Sequence, residues 1–102
     1  MRIRETTYLD YGFMPGEEKQ LQEFCRSPDF SENFILSECA KQSNPCICKE
    51  LEDSIVRGLS WDKMDARKIQ IYSKADFYGY RRLTLGLFRN ILILSGRYPI
   101  KI

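Results

Sequence analysis

Two short segments carry the residues whose types and spacing could do chemistry. Gly58-Leu59-Ser60-Trp61-Asp62-Lys63-Met64 is followed nine residues later by Ser73-Lys74-Ala75-Asp76-Phe77-Tyr78-Gly79-Tyr80-Arg81-Arg82. The first reads as a short helix opened by Ser60, with Trp61 and Met64 as apolar anchors. The second reads as a capped helix carrying aromatic and Arg side chains together. A closely linked helix pair with a basic, aromatic second member is what places side chains in a nucleic-acid groove. At about 100 degrees per residue, Tyr78, Arg82, Leu85 and Arg89 share one side of the second helix, with Lys74 and Arg81 flanking them. The expected DNA contacts are therefore Lys74, Tyr78, Arg81, Arg82 and Arg89. Early positions would reach base edges, where Arg pairs bidentately with guanine, and later ones would reach phosphates. The competing expectation, stronger for any single Arg, is a solvated helix face.

Charge is distributed along the chain in a way that fits this strip. Residues 1–53 carry a net −5 and residues 54–102 a net +7, although the whole chain is only +2. A concentrated basic face attracts polyanions whatever the other half contributes. The same asymmetry also suits a self-complementary fold in which the acidic half packs on the basic one.

Other chemistries find little to work with. The chain has no His, no Gly-rich phosphate loop and no nucleophile motif, so neither an enzyme nor a bound cofactor is expected. Glu17, Glu18, Glu50, Glu52 and Asp53 read as helix-dipole and surface charge. The longest apolar run, Ile91-Leu92-Ile93-Leu94, is too short to cross a bilayer, and Met1-Arg2-Ile3-Arg4-Glu5 does not open a signal peptide. The expected location is cytoplasmic, without membrane association. There Cys25, Cys39, Cys46 and Cys48 are expected as free thiols, Cys25 and Cys39 as small core residues. The Cys-x-Cys spacing lacks the two intervening residues of a zinc knuckle, so no metal is expected.

The elements that must position the basic strip follow from local signals. With 102 residues, 43% of them apolar, one domain is the simplest organisation. Residues 1–14 read as a short extended arm rich in Tyr and Phe. Residues 15–57 read as a helical scaffold. Its first helix opens at Pro15 with a Leu21, Phe24, Cys25 stripe, and Ser31 caps a second carrying Phe34, Ile35, Leu36 and Cys39. Asn44-Pro45 starts a third with Ile47, Leu51, Ser54 and Ile55 inward, closed by Gly58 in a left-handed cap. Residues 58–96 form the helix-turn-helix-like unit. Its last helix is started by the Ser73-x-x-Asp76 box and ended by Gly96, with Phe77, Tyr80, Thr84, Leu87, Phe88, Ile91 and Leu94 as its core face. Gly79 and Gly86, seven apart, mark a side that something approaches closely, either a crossing helix, the favoured reading, or a phosphate backbone. The predicted fold is a compact all-α domain of four to five helices.

These residues also resemble a family. Gly58-Leu59-Ser60-Trp61-Asp62-Lys63-Met64 is similar to the opening of the helix-turn-helix in the promoter-reading C-terminal domain of bacterial sigma factors, with Ser73 to Arg82 in the place of the recognition helix. It departs from that pattern at Asp65, where a small Ala is usual, and in having no Gly in the turn. Asp76-Phe77-Tyr78-Gly79-Tyr80-Arg81-Arg82 resembles the signature of small phage and mobile-element regulators of Gram-positive bacteria, late-transcription activators among them. Leu9-Asp10-Tyr11-Gly12-Phe13 and the acidic helix after it are also similar to short members of that group. The resemblance spans residues 54–95 and implies sequence-directed DNA binding in transcriptional control, with Lys74, Tyr78, Arg81 and Arg82 as contacts and double-stranded DNA as partner, alongside RNA polymerase or another protein. The alternative is a non-enzymatic helical structural or adaptor protein of a phage particle, whose basic helix docks an acidic partner.

Overall fold

The helix at the centre of the molecule begins where its cap sits in the sequence. Ser73 Oγ accepts the Asp76 backbone N–H at 3.1 Å, and the helix runs Lys74–Leu94. This computed structural model describes residues 2–64, 69 and 71–101. Among the described residues its α-helices are α1 (Glu17–Cys25), α2 (Asn33–Ser43), α3 (Cys48–Arg57) and α4 (Lys74–Leu94), with a 3-10 turn, Pro45–Ile47, between α2 and α3 and another, Trp61–Lys63, after α3. The domain is all-α, with no strand among the described residues. Gly58 ends α3 at φ 69° as a left-handed cap. Gly96, at φ 71°, closes α4 with Arg97 N–H bonded to Leu92 O at 2.8 Å, the paired C-terminal bonding that a left-handed glycine permits.

Two apolar clusters hold these helices together. Phe13, Leu21, Cys25, Leu36, Cys39, Ile55, Leu85, Phe88 and Leu92 form the main one. Ala40, Ile47, Leu51, Ile69 and Phe77 form the second. α2 lies against α4 and serves both clusters, Leu36 and Cys39 in one and Ala40 in the other. Where its C-terminus meets α4, Ser43 Oγ donates to Tyr80 O at 2.9 Å. Burial raises the Cys25 thiol to about 12 and Cys39 to about 11, so both are inert core residues at neutral pH. Cys46 is exposed.

Several local expectations are corrected by packing. Pro15 lies in a turn before α1 rather than inside it, because Gly16 at φ 84° is the N-cap. Glu32, not Ser31, precedes α2. Phe34 is 77% exposed, since the buried positions Leu36, Cys39 and Ala40 define a stripe on the opposite side of that helix. After Ser60 the described residues form a 3-10 turn, Trp61–Lys63. The chain turns before α4, where Tyr72 N–H donates to Ile69 O at 2.8 Å; Arg67, Lys68 and Gln70 lie outside the described residues.

The N-terminal arm is not extended. It forms two 3-10 turns, Ile3–Glu5 and Tyr8–Tyr11, the second braced by Thr7 N–H donating to Asp10 Oδ2 at 2.7 Å. The arm explains the two helix-interior glycines of α4. A Cβ on Gly79 would clash with the Ile3 carbonyl, and one on Gly86 would lie 2.9 Å from the Tyr11 side chain. The close approach is therefore made by the arm, not by a crossing helix. A sign reversal is expected from this contact. Gly79→Ala should destabilise the full chain by about 1–3 kcal/mol through overpacking. In a chain lacking residues 2–6 the same change should be neutral or stabilising by up to about 1 kcal/mol through helix propensity. Urea unfolding of the four proteins checks this, and destabilisation in both backgrounds would contradict the packing of the arm.

Candidate nucleic-acid interface

The five cationic and aromatic residues singled out by the sequence share α4 but not one surface. The buried arc of that helix is wider than its apolar spacing indicates. Leu85 and Leu92, like Phe77, Thr84 and Phe88, are fully buried. At about 100 degrees per residue, Arg81 lies between Phe88 and Leu92 on that arc. The arm covers the glycine side, α2 and α3 cover the arc, and the free flank is narrow.

Arg89 belongs to the interior. Its Nε is 2.5 Å from Glu17 Oε2, with the two side chains 12% and 4% exposed. The guanidinium lies between the Phe13 and Tyr98 rings, 5.4 and 5.5 Å from their centroids. Tyr98 Oη also donates to Glu17 Oε2, and the Met14 N–H donates to Glu17 Oε1 at 2.9 Å. The hydrogen bond to Glu17 raises the Arg89 pKa. This corrects the expectation of a phosphate contact at Arg89.

Arg81 is half-buried and donates to Gln22 Oε1, with its guanidinium 5.9 Å from the Tyr78 ring centroid. Burial lowers its pKa, and the neighbouring Arg26 charge acts in the same direction. Tyr78 is occupied structurally, its hydroxyl accepting the Trp61 backbone N–H at 3.1 Å and so tying the 3-10 turn to α4.

Lys74 faces solvent, and Arg82 is half-buried against the arm. Lys74, 59% exposed, is 3.5 Å from Asp62. Arg82 makes two long hydrogen bonds of 3.4 Å to the arm, at Thr6 Oγ1 and Arg4 O. The arm adds cations that helix periodicity could not reveal. Arg4 Nε and Nη2 each donate to Asp76 at 2.9 Å, and this bidentate bond lowers the Asp76 pKa, with Arg2 contributing through its charge. The signal for this was present in the Gly79 and Gly86 pair, which required a neighbour, but nothing local named the arm as that neighbour.

Among the described residues no group of three or more His, Cys, Asp or Glu side chains could hold a metal, and no helix is long and apolar enough to cross a membrane. No protein-family model, curated protein or solved structure matches the chain.

Proposed function

We propose that this chain is a non-enzymatic, sequence-directed DNA-binding protein acting in the transcriptional control of a phage or mobile element, with RNA polymerase or another protein as a further partner. The observation that supports this reading is the group of cations along the N-terminal turns of α4 and the arm beside them. Lys74 and Arg82 come from the helix, and the arm brings Arg4 onto Asp76 between them, with Arg2 near enough for its charge to act there. Asp76 and Asp62 offset part of this charge, and both are engaged by cations of the group. A helix entering a major groove by its N-terminal turn, flanked by a basic arm, uses such an arrangement. Arg81 and Arg89 drop out as flank contacts in this version, because their guanidinium groups face the body of the domain.

Anisotropy titration against a random duplex pool tests the reading. Binding should weaken log-linearly with salt through counterion release, and Lys74→Ala should reduce the slope by about one if it meets a phosphate. Arg82→Ala should cost about 1–3 kcal/mol and relax sequence preference if it reads a base. No binding at micromolar protein in low salt would reject DNA in favour of the second reading, an adaptor that docks an acidic protein. That reading draws on large apolar side chains left in solvent, Ile71 at 80% and Leu94 at 87% exposed, since exposed apolar surface is used in protein contacts.

A further inference from the structure

We propose that Arg26 and Arg81, with Gln22 between them, form a binding site for an oxyanion of the phosphate class. Arg26 caps the C-terminus of α1 and Arg81 lies mid-way along the first half of α4, yet both guanidinium groups donate to the same oxygen, Gln22 Oε1, Arg26 from Nη2 at 3.4 Å. One neutral oxygen thus serves two cations. Neither has a carboxylate partner among the described residues, whereas Arg4 and Arg89 of the same chain each have one. Arg81 Nε is buried and bonds to nothing among the described residues.

A half-buried guanidinium beside a second one carries both a desolvation cost and like-charge repulsion, and an anion shared between the two relieves both. Arg26 Nε is held by Ile55 O at 3.0 Å, which anchors that side chain to the end of α3, and its terminal nitrogens make only the long bond to Gln22 among the described residues. Gly58 lies against the Arg26 guanidinium, where a Cβ would come within 3.3 Å of Cζ, and so helps fix its position. The titratable neighbours of Arg81 are Tyr8, Tyr78 and Arg26, none of them a carboxylate. Arg81 forms the floor of the site and the exposed Arg26 its rim. Planar forks on two elements match the several oxygens of a phosphoryl group better than a single carboxylate. The proposal does not depend on DNA binding, because a phosphoryl group could be free or part of a nucleic-acid backbone.

Thermal unfolding and calorimetric titration of the full chain with inorganic phosphate, against chloride at matched ionic strength, test the site. Phosphate should raise the wild-type melting temperature saturably by several degrees. Arg81→Met and Arg26→Met should each abolish that rise. Gln22→Glu, which places a carboxylate between the two guanidinium groups, should raise the melting temperature without phosphate and remove the response to it. The proposal is overturned if phosphate does no more than chloride, or if its effect persists in Arg81→Met or Gln22→Glu. The exposed Arg26→Met variant keeps the test valid should Arg81→Met fold poorly. Duplex DNA that competes with phosphate, and loses affinity in Arg81→Met, would place the phosphoryl group on a nucleic-acid backbone. Phosphate binding without such competition would identify a free phosphate and would leave the DNA reading to stand or fall on its own titration.

Discussion

Arg89→Ala should lower the unfolding free energy by about 3–5 kcal/mol, because it strands a carboxylate in the interior. Glu17 is only 5% exposed, and Arg89 is its one cationic partner among the described residues, with the Tyr98 hydroxyl and the Met14 N–H as neutral ones. Replacing both ends, Glu17→Met with Arg89→Met, should restore much of the loss, since an apolar pair carries no desolvation cost. Urea unfolding measures both, and a loss below about 1 kcal/mol for the single variant would show that the pair is not held as described. The same pair shapes the acid limb of stability. Burial on its own would raise the Glu17 pKa, but the hydrogen bonds from Arg89, Tyr98 and Met14 outweigh it and hold the carboxyl below its ordinary value. Its stabilisation is therefore complete above the unfolded-state pKa of about 4.3 and is lost as pH falls through the lower folded value. Glu17→Gln should flatten that part of the stability profile.

Phe77→Ala should be comparably damaging, at about 3–5 kcal/mol. The ring is fully buried in the second cluster with Ala40, Ile47, Leu51 and Ile69, edge-on to Tyr78 at 5.5 Å. Neither α2 nor α3 can collapse into the space without breaking the Ser43 and Asn44 contacts that seat their junction against Tyr80 and Tyr72. Equilibrium unfolding should show an unchanged denaturant slope with a lower midpoint. A shallower slope with a second transition would instead mean that the two clusters melt separately. The consequence reaches the proposed interface, because Phe77 fixes the first turns of α4, from which Lys74 projects.

The faces of α4 show where reading the chain residue by residue stops being enough. Phe77, Thr84 and Phe88 are inside, as their spacing indicates, and Tyr80, Leu87 and Ile91 are partly buried against the two clusters. Leu94, assigned to the same face, is 87% exposed, because it lies in the last turn beyond the reach of α2. Leu85, placed by periodicity beside Arg82 and Arg89, is fully buried. An amphipathic pattern assumes one broad wet side, and a helix packed by α2, α3 and the arm keeps only a narrow one. Arg81 and Arg89 look like surface residues by type, but each meets a partner far away in sequence, Gln22 at a separation of 59 residues and Glu17 at 72.

What the amino-acid sequence determined by itself is the set of features that a few neighbouring residues can satisfy alone. The Ser73 cap, the Gly58 and Gly96 left-handed stops, the Asn44-Pro45 junction and the inward stripe of Ile47, Leu51, Ser54 and Ile55 depend on hydrogen bonds and side-chain directions within one or two helical turns. All of these can be read from local chemistry. Only the tertiary structure decided what faces each helix. That includes the arm seated on Gly79 and Gly86, the Arg89–Glu17 pair, the sharing of Gln22 between Arg26 and Arg81, and the outward position of Phe34. The physical reason is that a guanidinium or a glycine accepts several environments at similar local energy. The choice among them is made by groups that the folded chain brings from many residues away, through desolvation and contact terms absent from any short segment.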